Sequence, residues 1–64
     1  MRPLDRTDLK ILDALQREGR LSMTELADRV NLSATPCSER VRRMEREGVI
    51  MGYYARVNPA ALGK

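Results

Sequence analysis

Five side chains recur at a spacing suited to hydrogen bonding along an extended polar partner: Thr35, Ser38, Glu39, Arg42 and Arg46. On a helix of 3.6 residues per turn they fall away from Cys37, Val41 and Met44, whose spacing of four and then three marks an inward face. Their chemistry fits base edges in a DNA groove. A guanidinium forks onto guanine O6 and N7, a carboxylate accepts from cytosine N4, and hydroxyls serve bases or phosphate. Ser33 stands at the N-cap position, and Ala34 and Pro36 keep the helix tip narrow enough for close approach. A second polar cluster, Ser22 to Thr24, opens another helix, where amides and hydroxyls can meet a phosphate assisted by the helix dipole.

Charge alone also fits a plainer reading. Within this helix Arg40, Arg42, Arg43 and Arg46 stand against Glu39, Glu45 and Glu47, a net of +1, so a solvated face with internal ion pairs is the competing account. Arg40 and Arg43 flank the apolar face and are expected to pair with glutamates. Arg42 and Arg46 are the better candidates for DNA. Cys37 lies on the apolar face and reads as a small buried hydrophobe.

The elements that carry these groups must come from one small domain, because the chain has 64 residues. A single cysteine and no histidine leave no internal disulfide, no zinc site and no Ser-His or Cys-His pair. Four widely spaced glycines form no phosphate loop. Enzyme chemistry, metals and cofactors are therefore not expected. No apolar run nears the roughly 18 residues of a membrane span, and no signal-peptide pattern opens the chain, so a cytoplasmic protein is expected. The net charge of +3 permits nucleic acid as a partner without requiring it.

Three helical patterns are punctuated by capping residues. The first covers residues 5–18, with Leu9, Leu12 and Leu15 at helical spacing, Asp5 as N-cap and Gly19 as a left-handed stop. The second covers 23–30, opened by a Ser22-x-x-Glu25 capping box, with Leu26, Ala27 and Val30 apolar and Asn31 suited to a left-handed exit. The third covers 34–47 and stops at Gly48. The short join between the second and third, with apolar Leu32 inside it, has helix-turn-helix spacing. In such units the second helix enters the major groove.

After Gly48 the period changes. Residues 49–57 are β-branched and aromatic enough to read as a strand, with Gly52 as a bulge or turn and Tyr53 and Tyr54 on opposite faces. One tyrosine is expected on the helices and the other against a partner strand or DNA. The segment reads as a dimerisation or hinge strand rather than as a DNA-touching wing. Asn58-Pro59 ends it, and residues 60–64 open another element or fray. The expected fold is mainly α: a three-helix winged helix-turn-helix core over 1–48, with a C-terminal β-strand segment in a linker unit over 49–64.

The run NLSATPCSERVRRMEREGVIMGY, Asn31 to Tyr53, resembles the recognition helix and following strand of the Lrp/AsnC family. Leu4-Asp5-Arg6, Asp8, Ile11-Leu12, Leu15-Gln16, Gly19-Arg20 and Asn58-Pro59-x-x-Leu62-Gly63 match as well. The resemblance implies a prokaryotic transcription regulator whose winged helix-turn-helix joins, through a linking strand, a C-terminal αβ domain that senses amino acids and builds dimers and higher assemblies. It maps DNA contacts onto Ser33 to Ser38, Glu39 and Arg42, and the linker onto Val49 to Val57. It also implies that 64 residues is a fragment or a stand-alone module, since the chain stops where the effector domain would begin. Ala34 departs from a proline common in the family, which touches only fine positioning. The partners expected are double-stranded DNA, a second protomer in the full-length protein, and an amino-acid effector beyond these residues. The rival reading is a winged-helix module that binds protein through the same helix face.

Overall fold

The computed structural model describes residues 3–63. Met1, Arg2 and Lys64, which the expected units 1–48 and 49–64 include, lie outside the described residues. Three α-helices follow in order: α1 (Arg6–Arg17), α2 (Met23–Arg29) and α3 (Ala34–Arg46), with a short 3-10 helix at Pro59–Leu62.

Local chemistry sets most of the boundaries. Asp5 caps α1 by accepting from the Asp8 amide at 2.8 Å, and the Asp8 carboxylate accepts in return from the Asp5 amide at 3.3 Å. Ser22 and Glu25 make the same reciprocal box at the start of α2. That exchange lowers the Glu25 pKa, mainly through the hydrogen bond it accepts from the Ser22 amide. Asn31 takes a left-handed φ of 58° after α2, and Gly48 takes 78° after α3. At the second stop the Val49 and Ile50 amides both donate to the Met44 carbonyl, which turns the chain back across the helix end. Gly19 does not supply the left-handed stop expected of it. Glu18 closes α1 instead, with φ -139° and ψ 88° outside the helical region and its amide donating to the Ala14 carbonyl.

The core lies where the helices meet. Ile11, Leu26, Ala27, Val30, Cys37, Val41 and Met44 are buried, with Leu12, Leu15, Leu32, Val49 and Ile50 among those packed partly against them. Cys37 is sealed in this cluster, and burial raises its thiol pKa, so it stays protonated and inert. The inward phase of α1 differs from the leucine repeat in one respect. Ile11 is fully enclosed, whereas Leu9 is 55% exposed.

The expected β-strand at 49–57 is absent: among the described residues there is no strand, and residues 51–58 follow no regular path. β-propensity measures how well side chains suit a pleated, partnered surface. A strand needs a neighbour to accept its backbone hydrogen bonds, and nothing among the described residues supplies one. Gly52 is accordingly not a bulge. Its bare Cα lies beneath the Tyr54 ring, whose hydroxyl would come within 2.6 Å of an added Cβ.

Candidate nucleic-acid interface

Helix α3 is held from below and from one end. From below, Cys37, Val41 and Met44 sink into the core. At its N-terminus, Asn31 redirects the backbone, the Leu32 amide donates to the Ala27 carbonyl at 2.9 Å, and the half-buried Leu32 side chain fills the angle between α2 and α3. These contacts set both the axial angle and the rotation of α3, so the outward face follows from the inward one.

That face presents Thr35, Glu39, Arg42 and Arg46, all exposed. Ser38 is half-buried, on the flank rather than the crest. Ser33 and Ala34 are exposed at the helix tip. Ser33 occupies the N-cap position in extended conformation, but its hydroxyl makes no capping bond. It is thus uncommitted among the described residues, as are the first amides of the helix. Ser22 and Thr24 are exposed at the start of α2. Thr24 and Ala34 line one shallow cleft together with Ala27 and Leu32, which brings the α2 start beside the α3 tip.

The ion pairs separate structural from available charges. Arg17 pairs with Asp13, Arg29 with Glu18 at 3.0 Å, and Arg40 with Asp5 and Asp8. Among the described residues Arg42, Arg46 and Glu39 make no ion pair or side-chain hydrogen bond. The internally paired helix face, in which these charges cancel one another, is therefore not what forms. Arg43 is half-buried, and its Nε meets no acceptor among the described residues.

Arg40 corrects the expectation that it pairs with glutamates: its partners are aspartates of the first helix and its cap. One nitrogen, Nη1, donates to both Asp5 oxygens at 2.9 and 2.7 Å and to Asp8 Oδ1 at 3.0 Å. The Asp8 side chain is fully buried and that of Arg40 is 27% exposed. These bonds, Asp5 first, raise the guanidinium pKa above its ordinary value. Arg40 thereby ties α3 to the start of α1. The phase of α3 placed Arg40 beside the core, but no local signal pointed to carboxylates more than thirty residues upstream.

A second contact escaped the sequence reading. The Tyr53 hydroxyl donates to Glu45 Oε2 at 2.9 Å, holding the segment after Gly48 against α3. Tyr53 is the tyrosine tied to a helix, though it stays 50% exposed, and Tyr54 is 85% exposed. Partial burial and then the Glu45 carboxylate raise the Tyr53 pKa to about 12. Neutral Tyr53 is the favoured form, so its contribution is complete below the free-tyrosine value of about 10 and fades as pH climbs through about 12. Spectrophotometric titration of a Tyr54→Phe chain should give a single phenolate transition well above the free value. A midpoint near 10 would mean that the Tyr53–Glu45 bond does not persist in solution.

Comparison with known proteins agrees with this fold. A family described as winged helix-turn-helix DNA-binding matches residues 4–51. The chain is 57% identical over 61 residues to the transcriptional regulatory protein DoeX of Halomonas elongata, covering 95% of this chain and 39% of that protein. It is 61% identical over 56 residues to the leucine-responsive regulatory protein of Escherichia coli, covering 88% and 34%. Among solved structures, a transcriptional regulator of Neisseria meningitidis in complex with L-Met superposes with a TM-score of 0.90 at 43% identity, over 94% of this chain and 39% of that one. LrpC of Bacillus subtilis superposes with a TM-score of 0.90 at 40% identity, over 97% and 44%. The chain thus spans well under half the length of these relatives.

Proposed function

The chain belongs to the winged helix-turn-helix DNA-binding family, in its Lrp/AsnC branch, and from that premise we propose how it reads DNA. Helix α3 lies in the major groove. Thr35, Glu39, Arg42 and Arg46 face base edges and flanking phosphates, while Ser33, Ala34 and Ser38 border the helix tip. Ser22 and Thr24 take a neighbouring phosphate from the start of α2. The observation that carries this reading is that Arg42 and Arg46 stand exposed and without an ion pair among the described residues, whereas Arg40 on the same helix is paired with Asp5 and Asp8.

Residues 1–48 form the reading core and 49–64 a link to a further part of the protein, where an amino-acid effector binds and protomers pair. The L-Met bound to the Neisseria regulator supports an effector of that class. Dimeric binding to a two-fold-related site follows from such pairing, and the cytoplasm is the compartment where such a regulator acts. Among the described residues no helix is long and apolar enough to cross a membrane.

Anisotropy titrations of the chain against duplexes over a salt series test the proposal. Affinity should fall steeply with salt and should differ between a selected site and random sequence. Arg42→Ala should cost about 1–3 kcal/mol on the selected site and much less on random DNA if the guanidinium forks onto a base. Equal losses on both would assign Arg42 to a phosphate. No duplex binding at any salt would leave α3 as a protein-docking face.

A further inference from the structure

Glu39 is out of place on a face meant to meet phosphates. It sits on the exposed crest of α3 between Thr35, one turn before, and Arg42 and Arg46, in the following turns. Arg42 and Arg43 lie three and four residues on, within the usual reach of a helical ion pair. Among the described residues, however, Glu39 forms no ion pair or hydrogen bond. Nothing intramolecular therefore accounts for the carboxylate. Facing duplex DNA it is repelled by every phosphate at any sequence, a cost that only a specific acceptor role can offset.

We propose that Glu39 is the discriminating residue of the interface. Its carboxylate accepts a hydrogen bond from a cytosine N4 amino group, beside the base read by Arg42, and lowers affinity for all other sequences. The inference rests on α3 being the DNA-reading helix. Chemistry favours cytosine among the four bases. In the major groove guanine offers only the N7 and O6 acceptors, thymine an O4 acceptor and a methyl group, and adenine sets its amino donor next to the N7 lone pair. Cytosine alone offers a donor with no acceptor of its own beside it. A guanidinium at Arg42 and a carboxylate at Glu39, one turn apart, are then complementary to the guanine and the cytosine of a C·G pair or of adjacent pairs.

The test is selection of binding sites from a randomised duplex pool by the full chain and by Glu39→Gln, with direct titration of each protein on the selected site and on random DNA. Glutamine has nearly the helix propensity of glutamate, and Glu39 makes no ion pair or hydrogen bond among the described residues that its loss would break, so folding should be unchanged by circular dichroism. The wild-type motif should contain a cytosine at one position that vanishes from the Glu39→Gln motif, with the other positions retained. Discrimination against a substituted base there should drop about ten-fold, and affinity for random DNA should rise by roughly two- to five-fold at low salt. Two results overturn the proposal while leaving DNA reading intact: an unchanged motif, or equal losses on selected and random DNA. A wild-type chain that enriches no motif and binds no duplex removes the reading helix itself, and Glu39 with it.

Discussion

Arg40→Ala should destabilise the domain by about 2–3 kcal/mol, at or below the low end of the cost of removing one partner from a buried ion pair, because Arg40 and Asp5 are partly exposed while Asp8 is enclosed. The substitution deletes every bond from Nη1 to Asp5 and Asp8, and the Asp8 carboxylate is fully enclosed. For a chain of 64 residues total stability is on the order of 3–10 kcal/mol, so this loss removes a large part of it. The melting temperature should drop by roughly 10–20 °C. Arg40→Lys should recover part of the loss, since a single nitrogen makes all the contacts and an ammonium on a shorter stem can meet some of them. Thermal and urea unfolding followed by circular dichroism provide the check. A change within about 0.5 kcal/mol, the range of ordinary surface substitutions, would show that the clamp contributes nothing. Under the proposed function the consequence reaches DNA binding, because Arg40 lies on α3. Its release frees the rotation of α3 against α1, so specific affinity should fall together with stability.

The other large effect is expected at Leu26. Leu26→Ala should cost about 2–5 kcal/mol, the range for truncating a buried leucine to alanine. The side chain is 0% exposed within the cluster that also holds Val30, Cys37 and Met44. Helix α2 has only seven residues. A helix that short does not persist by its own hydrogen bonds and depends on the face it buries. Emptying the Leu26 site therefore loosens all of α2, and with it the Leu32 turn that aims α3. Leu26→Met, close in volume, should cost less than about 1.5 kcal/mol. Urea midpoints of the two variants, with amide exchange across α2, separate these outcomes. An alanine variant within about 1 kcal/mol of wild type would mean that the neighbours close the cavity and α2 is anchored elsewhere.

Much of this architecture was legible in the residues because it is local. Asp5, Ser22 with Glu25, Asn31 and Gly48 each act on a backbone within three or four residues, so type and spacing suffice to place the ends of the helices. The inward phase of α3 could be read from Cys37, Val41 and Met44, and the outward set followed by geometry, with Ser38 displaced to the flank. Reading failed where an outcome needed distant chain. The strand expected over 49–57 had the composition but no partner among the described residues. Gly19 had the freedom for a left-handed stop, yet Glu18, itself outside the helical region, made it unnecessary.

Arg40 and Arg42 mark the division most clearly. Their types and positions on one helix are matters of sequence, as is the likelihood of guanidinium and carboxylate chemistry for DNA along this face. Which arginine would be spent on structure was decided only by folding. The packing of α1 beside α3 brings Asp5 and Asp8 to Arg40, across 35 and 32 residues of chain, and leaves Arg42 unclaimed on the opposite side. Helical periodicity constrains neighbours three or four residues away. The partner of a charge at longer range depends on how whole helices dock, and that is set by the buried apolar cluster rather than by the charges themselves.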